Sequence, residues 1–327
     1  MKNTKLNNYV YFITIFLGIL ISILIGHHTY HANIEKEQIK FNALTKKLVQ
    51  DVNSKMDKYR EVLYSGLGFF EASESVTREE WHTFVTKLQL EKYFPGILGI
   101  GYSVVLQEDE LVKNIQEIQA EGFSSYKIFP EGDRNFYTSI IYLEPFNERN
   151  QRAFGYDMYS EEMRRKAMNK AIETGQPALS AKVKLVQENG IDEQTGFLLY
   201  APLYKKNMPL ETKEQRYIAI KGFVYGVFRT KDLLLSTIQN SLEVVDIKMY
   251  SGNLQNKDSL LYTSNNQINL NKSLNSVTKL ELDGYNWIFE ITAKDSFFNT
   301  KENVNALVFS VLGFLITFLI AYILKDN

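Results

Sequence analysis

Arg149, Arg152, Arg164 and Arg165 lie close together in the middle of the chain. A guanidinium pairs bidentately with carboxylate or phosphate, so such a cluster can hold an anionic ligand, although the same residues also make an ordinary solvated face. Tyr102, Tyr142, Phe154, Ser180, Val186, Leu198 and Tyr200 come from runs that read as strands or their flanks. Alternate strand residues share a face, and a small-molecule pocket needs apolar walls with a few polar groups. These seven are candidate pocket residues, each with core packing as its plain alternative. His27 and His31 are four apart, a legal metal-ligand spacing, but no carboxylate stands near them at suitable spacing, and no metal is expected. The chain has no cysteine, which removes thiolate chemistry and disulfides together. It also has no G-x-S-x-G, Walker loop, H-E-x-x-H or dinucleotide fingerprint, so neither enzymatic activity nor a cofactor is expected.

The elements that position these residues centre on 154–204. Ser160 is read as the N-cap of a helix over 161–174, with Glu161 and Glu162 in its first turn and Gly175 just past its end. Met163, Ala167, Ala171 and Ile172 fall on its buried face, and Arg164, Arg165, Lys166 and Lys170 on the others. Strands are expected over 178–186 and 196–204, with a polar turn over 188–195. Before them come a helix opened by the capping box at Thr77 and Glu80, a strand over 97–106 containing Gly99 and Gly101, a helix over 108–121, and strands over 126–130 and 136–144. After them come a strand over 217–229, a helix over 233–242, a strand over 244–250 and a short run at 260–263. A hairpin follows with Asp283-Gly284 as its type I′ turn.

Two apolar runs set the broad class. Residues 9–25 carry no charge and 304–324 are nearly as apolar, so both ends are expected to cross a membrane. Lys2, Lys5 and Lys325 flank the two runs on one side, which puts both termini in the cytoplasm and the near-neutral middle outside, in a periplasm or beyond a plasma membrane. With a formal net charge of −1, no nucleic-acid partner is indicated. Between 27 and 65 there is no Pro or Gly, and apolar residues from Ile34 to Phe70 recur at steps of three, four or seven. This predicts one stalk helix, which either packs along its own domain or pairs two copies, and the exposure of an unpaired stripe of that size favours the homodimer. Strands interleaved with short helices suggest an α+β domain of the PAS-like kind.

Seven segments in order carry a resemblance: FEASESVTREEWHTFV, PGILGIGYSVVL, the Glu144-Pro145 turn, GYDMYSEEMRRKA, ETG, KLVQ with GFLLYAPLY, and KGFVYGVFRTKDLL. Together, over about 66–235, they resemble the CHASE domain, the extracellular sensory domain of receptor histidine kinases, nucleotide cyclases and related signalling proteins. The resemblance implies an α+β architecture with a stalk and two PAS-like lobes. Its expected layout is a cytoplasmic N-terminus (1–8), a first span (9–26), the stalk (27–72), a membrane-distal ligand-binding lobe (73–235), a membrane-proximal lobe (236–300), a second span (304–324) and a cytoplasmic stub (325–327). In the plant members, which are cytokinin receptors, an acidic residue of the distal-lobe helix contacts adenine. Counting back from Glu173-Thr174-Gly175, that position is Arg164, which cannot accept a hydrogen bond, so the resemblance does not carry cytokinin over. Ser180 keeps the hydroxyl of a family threonine, and Leu185 and Val186 the apolar contacts of their strand.

The reading is of a multi-pass cell-membrane sensor, with 27–303 outside, that binds an unidentified small molecule in its distal lobe. A kinase or cyclase output domain is absent from the sequence and would follow it or come from a partner. A membrane-anchored scaffold without a ligand is the alternative, and a periplasmic hydrolase a weaker third.

Overall fold

The computed structural model describes residues 2–134, 136–188, 190, 193–264, 274–298 and 300–326. Helix α1 (Lys2–Ala72) runs unbroken from the N-terminal apolar run through the stalk, as the lack of Pro and Gly between 27 and 65 allows. Thr77 caps α2 (Arg78–Leu88): its hydroxyl accepts from the Glu80 amide, and the Glu80 carboxylate accepts from the Thr77 amide at 2.8 Å. A short α3 (Leu90–Tyr93) leads into β1 (Ile97–Leu106), then α4 (Leu111–Ala120), β2 (Tyr137–Glu144) and α5 (Glu148–Gln151). Next come α6 (Glu162–Thr174), β3 (Ala178–Leu179), β4 (Val183–Lys184), β5 (Thr195–Tyr204), α7 (Lys213–Ala219) and β6 (Ile220–Arg229). Helix α8 (Thr230–Ile238) connects to β7 (Val245–Ser251), β8 (Leu260–Thr263), β9 (Asn275–Leu282) and β10 (Tyr285–Ala293), and α9 (Thr300–Asp326) follows.

The first set of strands forms an antiparallel sheet in the order β2-β1-β6-β5-β3, with β4 also on β5, and the second a sheet in the order β8-β7-β10-β9. The fold is therefore α+β, with a long N-terminal helix and two sheets. Alternation divides the large sheet into two apolar faces. One face, with Ile100, Tyr102, Phe197, Leu199, Val224 and Phe228, packs in a common core with Met56, Tyr59, Leu63 and Phe70 of α1 and Trp81 of α2. The other, with Leu198, Tyr200, Phe223, Tyr225 and Val227, packs against Ala167, Met168, Ala171 and Ile172 of α6. Further down, Phe41, Leu48 and Val52 of α1 join the core of the second sheet, where Phe41 meets Phe297 at 5.7 Å. The apolar stripe of α1 is thus consumed by the molecule's own sheets, which removes the argument that an unpaired stripe calls for a second copy.

Several expected elements change form. Ser160 is not the cap of α6; it ends a 3-10 turn over Met158–Ser160, and its hydroxyl donates to the Asp157 carbonyl. Glu161 caps instead, accepting from the amides of Met163 and Arg164. The strand expected over 178–186 is two short pieces, because the Ser180 side chain accepts from the Leu198 amide and the chain bends away after it. Residues 126–130 make only a bridge from Phe129 to Tyr156, since the run is short and Pro130 has no amide to donate. The start of the strand read over 217–229 is the end of α7, nucleated by a capping box between Thr212 and Gln215. The helix over 233–242 begins earlier, at Thr230, and passes into a 3-10 turn over Gln239–Glu243. The polar turn over 188–195 and the Asn- and Ser-rich segment before β9 lie partly outside the described residues.

Among the described residues one helix is long and apolar enough to cross a membrane, the N-terminal part of α1, where Tyr9, Phe12, Phe16, Leu20 and Leu24 are exposed. The apolar part of α9 is Leu307–Ile323. The two helices lie side by side, with Gly18 against Thr317, Gly26 against Ser310 and Gly313 against Ser22. Small residues at these crossings let the backbones approach closely.

Candidate functional site

The α6 side of the large sheet gathers the chemistry. Along β1 the residues on this side are Gly99, Gly101 and Ser103, small residues that let neighbouring side chains lie close against the strand. A side chain at Gly101 would collide with the Tyr142 carbonyl and the Tyr225 ring. Tyr225, paired with Gly101 across the sheet, fills that space and lays its phenol over β1. At Gly99 the same space is taken by the Asn150 amide, whose Nδ2 donates to the Leu98 carbonyl at 3.1 Å and to the Pro145 carbonyl at 2.9 Å.

Polar heads on this face are poorly matched. The Tyr225 hydroxyl, Ser103 Oγ and Asn150 Oδ1 are buried without a hydrogen-bond partner among the described residues. The Tyr200 hydroxyl donates to the Met158 thioether at 3.5 Å and has the Arg164 guanidinium as a second neighbour. Burial pushes both phenols upward, offset in part by the Arg164 charge, so they stay protonated donors at physiological pH. Arg164, expected on an outer face of α6, is only 4% exposed. Its guanidinium donates to the Lys184 carbonyl at 2.8 Å and covers the Tyr156 ring at 5.3 Å. Two contacts of 3.5 Å reach the Tyr156 hydroxyl and Glu161, and the Tyr200 hydroxyl is a further neighbour.

The rim is held by buried carboxylates. Asp157 accepts from the Thr138 amide and hydroxyl and from the Tyr159 amide, and pairs with Arg134 at 3.1 Å. Burial nevertheless raises its carboxyl above the usual range, with those hydrogen bonds and Arg134 pulling the other way. Glu188 pairs with Arg149 at 2.8 Å and with Arg229 at 3.1 Å, and Arg152 donates to the Gln187 carbonyl. Arg165 donates to the Tyr159 carbonyl. The arginine cluster is thereby dispersed: Arg149, Arg152 and Arg165 hold loops, and only Arg164 enters the interior.

Of the candidate pocket residues, Arg164, Ser180, Leu185, Val186, Leu198 and Tyr200 come together on the α6 side. Tyr102 and Tyr142 do share a face, with ring centroids 6.1 Å apart, but it is the opposite one, where Tyr102 meets Phe70 at 4.4 Å. Phe154 sits elsewhere again, among Phe123, Tyr126 and Phe146 beneath the Arg78 guanidinium. Alternation says which residues share a face and not which face it is, so the sequence leaves open that these two tyrosines lie on the α1 side. Tyr225, Ser103, Asn150 and Asp157 were not anticipated. The one available signal was the pair Gly99 and Gly101, which marks a close approach to β1.

The structure is a two-sheet α+β body built along a helix long and apolar enough to cross a membrane, with buried polar groups under one short helix. A family model for the CHASE domain matches residues 74–262, more than half of the chain, and the chain belongs to that family. The match extends past β6 into the second sheet as far as β8. CHASE is an extracellular sensory domain of membrane signalling receptors and not a catalytic one. No curated protein matches the chain.

Proposed function

We propose that this chain is the extracytoplasmic sensor of a transmembrane receptor, taking a small molecule between α6 and the large sheet. The observation that carries this is the group of buried hydroxyl and amide heads on that face that lack partners among the described residues. A native interior leaves few such groups, and a guest supplying their hydrogen bonds accounts for them. The strand order and the helices laid over it support a PAS-like lobe. The signal would pass along α1 and the β9–β10 hairpin to α9, which acts as a second span beside the first. The receptor would work as a homodimer, with a kinase or cyclase output domain in the same polypeptide or in a partner.

Because the chain has no cysteine, single introduced cysteines report cleanly. A cysteine at exposed Asn207 should react with a membrane-impermeant maleimide in intact cells, and one at Asn3 only after lysis. Protection of the Asn207 site in intact cells would overturn the topology. Correct topology, but no stabilisation by any small molecule and co-purification with one membrane protein, would favour a scaffold.

A further inference from the structure

The buried charge on the α6 side has no adequate counter-charge. Among the described residues the only carboxylate against Arg164 is Glu161, at 3.5 Å, and its two oxygens already accept the first amides of α6. A guanidinium this deeply buried is ordinarily paired, because desolvating it alone is costly. Its remaining company is a backbone carbonyl, the ring and hydroxyl of Tyr156, and Tyr200 and Tyr225 of the core cluster beneath α6. Those phenols are hydrogen-bond donors lacking an oxygen acceptor. A cation and two acceptor-seeking hydroxyls on one interior face match a compact anion whose oxygens accept from all three. They do not match a flat base that presents an amino group. Phosphate is the other anion such groups take, but a phosphate generally draws several cations or a row of backbone amides. Here Arg149, Arg152 and Arg165 are committed to Glu188, the Gln187 carbonyl and the Tyr159 carbonyl.

We infer that the guest of the α6 face is a small organic carboxylate, its carboxyl group held by Arg164 with the Tyr200 and Tyr225 hydroxyls. This rests on the reading of the lobe as a small-molecule sensor and narrows its ligand class. Ser103 Oγ and Asn150 Oδ1, farther along β1, suit a hydroxyl or amino group on the same molecule.

The test uses the full chain in detergent, with unfolding followed by the fluorescence of its buried tryptophans, Trp81 and Trp287. The probes are short hydroxy-, keto- and amino-acids, each beside its neutral amide, together with inorganic phosphate and adenine. At least one acid should raise the unfolding temperature saturably by about 4 °C or more while its amide does not. Tyr225→Phe, which keeps the ring and removes only an unpartnered hydroxyl, should still fold and bind that acid about tenfold more weakly. Arg164→Gln should lose the response, and Arg164→Lys should regain part of it. Failure of every acid to stabilise the protein overturns the inference, as does equal stabilisation by acid and amide. An unchanged affinity in Tyr225→Phe overturns it too. Stabilisation by adenine or phosphate alone overturns the carboxylate class while leaving the sensor reading intact.

Discussion

Asp157 and Tyr225 illustrate opposite ways in which a buried polar group strains the fold. Asp157 is well hydrogen-bonded, yet burial raises its carboxyl above the usual range. The folded protein then holds that proton more tightly than the unfolded chain does. Its contribution is fully present below the unfolded pKa and is lost as pH rises through the folded one. The exposed Glu80, Glu162 and Glu214 are shifted downward, so their contributions run the other way and fade on acidification. The Asp157 effect is therefore read as a difference. In urea unfolding between about pH 4 and pH 7, Asp157→Asn should lose stability relative to the parent at the acid end and close the gap toward neutrality. Tyr225 instead carries a hydroxyl with no partner among the described residues. Tyr225→Phe should stabilise the unliganded protein by about 1–2 kcal/mol in equilibrium unfolding, since an unsatisfied buried hydroxyl costs that much. A stabilising substitution that weakens binding marks a residue kept for function. Neither residue was legible beforehand. Asp157 lies in an irregular turn, and Tyr225 lies in an apolar run where nothing distinguishes a ligand-facing tyrosine from a packed one.

At the scale of elements, the hairpin turn between β9 and β10 is where three parts of the molecule meet. Asp283 and Gly284 both have positive φ, 48° and 73°, as a type I′ turn requires. The Asp283 carboxylate, 7% exposed, accepts from Arg60 Nε of α1 at 2.7 Å, its carbonyl accepts from the Leu179 amide of β3, and Gly284 lies against Lys170 of α6. The turn thus touches the stalk, the large sheet and the helix above the proposed guest. A double-mutant cycle on Arg60→Ala and Asp283→Ala should give a coupling energy of about 1–3 kcal/mol, because the pair is largely shielded from solvent. A coupling near zero would make the contact incidental. The Asp-Gly turn, the capping box at Thr77 and the uninterrupted α1 were all plain in the sequence, because local chemistry decides each of them. What α1 packs against was not. A stripe at three- and four-residue steps looks the same whether it faces a second helix or a sheet, and only the fold shows Met56, Tyr59 and Leu63 under β5 and β6. Residues 217–219 read as strand for a related reason. Tyr217 and Ile218 suit a strand, and the capping box before them outweighed that preference.

For the whole molecule, the proposed reading makes α1 and α9 the route by which anything sensed outside would reach the other side of the membrane. They meet through Gly18, Ser22 and Gly26 on one helix and Ser310, Gly313 and Thr317 on the other. A Cβ built at Gly26 lies 3.5 Å from that of Ser310, within the range a disulfide bridges. In this cysteine-free chain, Gly26→Cys with Ser310→Cys should cross-link within one polypeptide on mild oxidation, seen as a mobility shift on a non-reducing gel. Cross-linking only between chains would place α9 against a second copy instead. The most direct test of the central claim is hydrogen exchange of the full chain in lipid nanodiscs, with and without the low-molecular-mass metabolites of the cells that make it. The account predicts slowed exchange in peptides covering 156–168, 180–188 and 222–226, with a smaller change at the 282–285 turn. Unchanged exchange across all of these peptides, or protection confined to surfaces away from α6, would contradict it.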